Sequence, residues 1–127
     1  MNKIDLEKKI TEIINELLAK KVYICSIDVL IKLNYLTQTD YENWRFGKVE
    51  CLEKVCKINL SKLKTINQIT KKTSVKMNLK PSWTAYNKYG KGPKKRLQFS
   101  KSGNTTIEIA YSTHYVAVKQ NNDQVQN

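Results

Sequence analysis

No aspartate or glutamate occurs between Glu53 and Glu108. That stretch of 54 residues holds 13 Lys and one Arg. Were acids spread at about 12% of positions, a run of this length would arise with a chance of order one in a thousand. The gap excludes a paired-carboxylate, metal-dependent nuclease centre within it, because such a centre needs acidic ligands. Arginine is nearly missing as well, at two residues against 21 lysines. Arg makes the bidentate contact to guanine, so base readout by that route has little to draw on. Cysteine is sparse and odd in number, three in all, which fits reduced thiols rather than a disulfide framework. No apolar run approaches the roughly 18–20 residues of a membrane span. The N-terminal segment is charged and amphipathic, unlike a signal peptide, so a cytoplasmic protein with no membrane partner is expected.

The charge that remains is one-sided. Residues 1–56 carry nine basic and nine acidic side chains, and the formal charge of +12 therefore falls in residues 57–127. Such a distribution produces a strong positive field and draws anionic partners. Forty per cent of the chain is hydrophobic, which argues for a packed core rather than a disordered basic tail. One domain is expected over residues 1–118, with a charge-neutral helical part (1–56) and a basic part (57–118), followed by a polar tail at 119–127.

The apolar spacing predicts mostly helices. Ile10, Ile13, Ile14, Leu17 and Leu18 make one stripe over residues 3–20. Ser26 is placed to cap a second helix to about Leu33, with Asn34 as its stop. Thr39 and Glu42 have capping-box spacing for a third helix ending near Gly47. Val49, Leu52 and Val55 suggest a short fourth. Asn59 or Ser61 then caps a longer basic helix to about Met77, whose apolar side is Leu63, Ile66, Ile69, Thr73 and Met77. Beyond Pro81, the segments 82–89 and 96–100 predict a β-hairpin around the turn Gly90-Lys91-Gly92-Pro93, with a basic tip at Lys91, Lys94, Lys95 and Arg96. Thr105 and Glu108 repeat the capping-box spacing, which predicts a short C-terminal helix over 106–115; the β-branched residues there leave a strand open. The expected class is α+β, mostly helical.

A basic helix followed by a basic-tipped hairpin is analogous in layout to a winged helix-turn-helix. In that layout Asn67, Gln68, Thr70, Lys71 and Ser74 would face base edges, and the tip would sit on phosphate. The expected function is nucleic-acid binding, with DNA favoured over RNA and a small regulator as the biological setting. The phosphate-facing residues are Lys62, Lys64, Lys71, Lys72, Lys88, Lys91, Lys94, Lys95, Arg96 and Lys101, with Asn67 and Gln68 beside them. Aromatics on a two-stranded hairpin mostly serve the core, and Trp83, Tyr86, Tyr89 and Phe99 offer a second use, as a stacking platform for single strands. Two further classes stand behind this one. The same surface suits a protein-interaction or inhibitor module, and His114, the only histidine, suits a small metal-independent ribonuclease. No catalytic residue, metal or cofactor is assigned. Cys51 and Cys56 lie at zinc spacing with Cys25 and His114 in reserve, but residues five apart on a helix diverge by about 140°. Gly90-Lys91-Gly92-Pro93 lacks the Gly-Lys-Ser/Thr ending of a phosphate loop.

Overall fold

The computed structural model describes residues 2–118. Helix α1 (Lys3–Leu18) is capped by Asn2, whose side chain accepts from the Asp5 amide, and it buries Leu6, Ile10, Ile13, Ile14 and Leu17. It ends two residues before the expected Lys20. Lys21 turns instead to Asp28, 2.7 Å away, and lies over the Tyr23 ring. Strand β1 (Tyr23–Ile24) leads into α2 (Ser26–Lys32). Asn34 reverses the chain at φ 65°, a left-handed conformation that Asn tolerates. Helix α3 (Gln38–Arg45) ends at Gly47, where φ is 75° and the Lys88 stem lies 3.1 Å from where a Cβ would stand. A 3₁₀ turn (Leu52–Val55) occupies the place of the expected fourth helix.

Asn59 caps α4 (Leu60–Lys76) by accepting from the Lys62 amide. The first turn of α4 holds lysine and no acid, which opposes the helix dipole by about 0.3–1 kcal/mol. Leu63, Ile66 and Ile69 are buried on its inner face, each worth about 1.5–3 kcal/mol, so packing decides the helix. After Asn78 (φ 60°), β2 (Lys80–Trp83) pairs with β3 (Thr113–Val116), and β3 pairs on its other side with β1. The sheet is antiparallel in the order β1-β3-β2. Helix α5 (Thr105–Ser112) runs directly into β3. The fold is α+β and mostly helical, and one apolar core extends from Leu6 on α1 to Tyr115 on β3.

Several local expectations are corrected. Ser26 is buried inside α2, and Cys25 takes the cap position without a side-chain bond. Thr37, not Thr39, caps α3 by accepting from the Asp40 amide. Asn104, not Thr105, caps α5. The 106–115 segment divides into helix and strand, because Thr113–Val116 finds partners on both sides. The hairpin shrinks to one bridge, Asn87↔Arg96, flanked by bonds from the Lys88 amide to the Lys95 carbonyl and from the Leu97 amide to the Tyr86 carbonyl. The residues expected as its first strand go in part to β2. The tail at 119–127 lies outside the described residues.

The basic part is fastened by two carboxylates that flank the acid-free run. Glu53, only 8% exposed, accepts from the Lys101 amide at 2.8 Å and from the Tyr111 hydroxyl at 2.7 Å. Glu108 accepts from the Phe99 and Ser100 amides and from the Ser100 hydroxyl. Trp44, fully buried, donates from its indole to the Gln98 carbonyl and packs on Tyr86 and Phe99, and Phe99 stacks on Tyr111. Glu53→Ala removes the acceptor from two donors at once. At about 1–3 kcal/mol for each group left without a partner, it is expected to lower unfolding free energy in urea by about 2–6 kcal/mol. Glu50→Ala, at an exposed ion pair with Lys54, is expected to leave the urea midpoint unchanged.

Candidate nucleic-acid interface

Helix α4 presents a cationic stripe. At about 100° per residue, Lys64, Gln68, Lys71 and Val75 fall within a narrow arc, and all four are exposed. Lys72 stands to one side of it, also exposed, with Glu7 of α1 at 3.9 Å. Lys62 lies about 160° from Lys64 around the axis and is half-buried, so it does not share the stripe. Asn67, expected to face base edges, is turned into the core at 9% exposure, and Thr70 and Ser74 are buried with it. Thr70 donates to the Ile66 carbonyl one turn back, which is how a small hydroxyl side chain is accommodated on an inner helix face. The exposed side of α4 is therefore left with lysines, Gln68 and Val75, suited to phosphate more than to base edges.

The second group of cations rests on a different support. The 88–95 tip docks on the end of α3. The Tyr89 amide donates to the Arg45 carbonyl at 2.7 Å, and the Arg45 guanidinium donates to the Asn87 carbonyl and the Tyr41 hydroxyl. That guanidinium also lies 4.0 Å from the centre of the Tyr89 ring, and Phe46 meets Tyr89 edge-on. Lys88, Lys91, Lys94 and Lys95 project from this anchored loop into solvent. Lys101 is exposed on the turn that Glu53 holds. Because α4 packs on α1, α2 and α5 while the tip rests on α3, the winged-helix analogy is not confirmed.

Arg96 leaves the tip toward β2, and its guanidinium lies 4.9 Å from the centre of the Trp83 ring. Trp83 is 53% exposed, whereas Tyr86 and Phe99 are buried. The four-aromatic platform is thus reduced to Trp83 here and Tyr89 at the tip. A cleft of about 360 Å³ opens beside Trp83 and Arg96 and runs back to α5. The role of Arg45 as anchor of the tip was not visible in the sequence. The roles of Glu53 and Glu108 had a signal, since they are the two acids that bound the gap.

The thiols and the histidine are occupied by packing. Cys25 contacts Asp28 at 3.4 Å and the Tyr86 hydroxyl at 3.6 Å. Burial pushes the Cys25 and Cys56 thiols up to about 12, so both are neutral and poor nucleophiles at neutral pH. The Tyr86 phenol is also pushed above its ordinary range by burial. It shares a 2.8 Å hydrogen bond with His114 Nε2, and Tyr23 stacks on the other side of that imidazole with centroids 4.6 Å apart. Among the described residues, no group of three or more His, Cys, Asp or Glu side chains is placed to hold a metal ion. Among them, too, no helix is long and apolar enough to cross a membrane. Comparison of the chain with protein-family models, curated proteins and solved structures finds no match in any of the three.

His114 gives the fold a pH dependence. Burial lowers its pKa below 6.5, and nearby Asp28 opposes that shift while Lys21 adds to it. A histidine lowered in the folded state binds its proton more readily when unfolded, so stability rises with pH across the interval between the two pKa values. The contribution of the neutral ring is complete above about 6.5 and is lost as pH falls toward the folded value. Thermal unfolding is expected to show Tm falling from pH 7 to pH 5 with a smaller fall in His114→Gln; equal falls in both proteins would refute the assignment.

Proposed function

We propose that the protein binds nucleic acid by its phosphate backbone, with DNA as the first candidate and little reading of base sequence. The observation that carries this reading is the lack of neutralisation across the basic part. Of the 14 cations between Lys54 and Ile107, only Lys54, Lys57 and Lys72 stand within ion-pair distance of an acid among the described residues. Eleven remain, and they include Lys64 and Lys71 on α4, the tip lysines, Arg96 and Lys101. Repulsion among unpaired like charges disfavours the compact state unless a polyanion relieves it.

Spacing along the helix is compatible with such a ligand. Lys64 and Lys71 lie two turns apart, about 10 Å along the helix axis, a length of duplex axis over which one strand carries about three phosphates. Lysines placed this way act as point charges that follow a backbone. The burial of Asn67, Thr70 and Ser74 removes the short polar groups that would have read bases.

The test is fluorescence anisotropy with a mixed-sequence duplex, repeated over a series of salt concentrations. Each phosphate contact contributes about 0.9 to the slope of log affinity against log salt. The wild type is expected to bind at low salt with a slope of several units, and Lys91/Lys94/Lys95→Glu to reduce the slope by about two or three with a loss of affinity above tenfold. A wild type that binds nothing at low salt would overturn the proposal and favour a protein partner. A triple variant with unchanged slope would remove the tip from the interface.

A further inference from the structure

We infer that the cleft beside Trp83 receives a single unpaired base of a nucleic-acid strand, with Arg96 on the phosphate next to it; this rests on the nucleic-acid reading and names the form of ligand preferred. Trp83 closes β2 at the mouth of the cleft, and more than half of its surface is open to solvent. A large aromatic ring left this exposed in a chain that buries its other tryptophan completely is an available stacking surface. Arg96 lies against that ring at 4.9 Å and has no hydrogen-bond acceptor or carboxylate partner among the described residues. The guanidinium therefore keeps its donor fork for an incoming anion.

Behind the indole the cleft is lined by the apolar side chains of Leu97, Phe99 and Ile109, with Thr84 and Ser112 as polar groups. Glu108 also lines it, but its carboxylate is already held by the Phe99 amide and by the amide and hydroxyl of Ser100. At about 360 Å³ the volume is near the lower end of small-ligand sites, roughly 300–1,000 Å³. That is ample for one planar base. A flat ring for the indole joined to an anion for the guanidinium is the chemistry of a nucleotide. Bases within a duplex are stacked and paired, so only a strand with an unpaired base can present one here. The lysines of the tip adjoin Arg96 in the chain and supply the positive surface along which such a strand would run.

The experiment uses the full chain and three labelled probes at one low salt concentration: a thymidine single strand, the same strand with an abasic tract, and a mixed duplex of equal length. Base–aromatic stacking is worth about 5- to 150-fold in affinity per base. The wild type is expected to prefer the intact strand over the abasic one by a factor in that range and to lose Trp83 emission on binding. Trp83→Ala should abolish the preference while leaving duplex affinity unchanged, and Trp83→Phe should keep most of it. Equal affinity of the wild type for intact and abasic strands would overturn the base site while leaving backbone binding intact. So would a Trp83→Ala variant that keeps the preference. Failure to bind any of the three probes would overturn both proposals together.

Discussion

A carboxylate taken out of water costs several kcal/mol unless donors replace its hydration. Glu53 meets that condition by accepting from the Lys101 amide and the Tyr111 hydroxyl. Its partner in the task, Glu108, accepts from the two amides and the hydroxyl of Phe99 and Ser100. Between them they fix the 99–101 turn from two sides, one from the 3₁₀ turn and one from α5. The Glu53 amide also donates to the Phe99 carbonyl, and the Trp44 indole donates to the Gln98 carbonyl. With that turn fixed, Phe99 is held between Trp44 and Tyr111. Two residues earlier in the chain, the Leu97 amide donates to the Tyr86 carbonyl, and the segment leading out to the tip has a defined base. A basic segment with no acids of its own is thus folded by acids lent from either side of it.

The same division governs the surface. In the first part, Lys21, Lys32 and Lys54 are paired with Asp28, Glu16 and Glu50. Among the described residues, two bridges cross into the basic part, Asp40 to Lys57 and Glu7 to Lys72. Exposed pairs of this kind add little to stability, about 0–1 kcal/mol each. Their effect is on the field. They neutralise the N-terminal part locally, whereas among the described residues the lysines of the α4 stripe and the tip have no acid within ion-pair distance.

Periodicity was a sound guide where structure is local. The α1 stripe, the Asn59 cap of α4 and the reversals at Asn34 and Gly47 all follow from a few adjacent residues. It failed in two ways. Ser26, Thr39 and Thr105 each have cap chemistry, but a neighbour one or two residues earlier takes the position, since a cap is chosen by where the chain enters the helix. The pairing of Lys80–Trp83 with Thr113–Val116 spans some thirty residues, and no local spacing encodes that register. The site was legible to a similar extent. Exposed lysines on α4 could be read from the charge pattern, yet Asn67 and Ser74 could not be placed, because small polar side chains are tolerated on an inner helix face that a polar/apolar pattern assigns to water. Trp83 was visible only as part of an aromatic cluster; a core role was the main expectation for hairpin aromatics, but that Tyr86 and Phe99 take it while Trp83 stays exposed needed the tertiary fold.

The two arginines sharpen the meaning of a lysine surface. Both lie over aromatic rings, Arg45 over Tyr89 and Tyr86, and Arg96 over Trp83. A planar, delocalised cation stacks on a ring more readily than a strongly hydrated ammonium does, although Lys21 also lies over the Tyr23 ring. Arg45 is held within the protein by its terminal nitrogens, which donate to Tyr41 and Asn87 and keep the tip in place, while its buried Nε has no partner among the described residues. Arg96 has the same stacked geometry without those acceptors. A guanidinium over an exposed indole, with no acceptor among the described residues and a cleft beside it, is the arrangement on which the proposed base site rests.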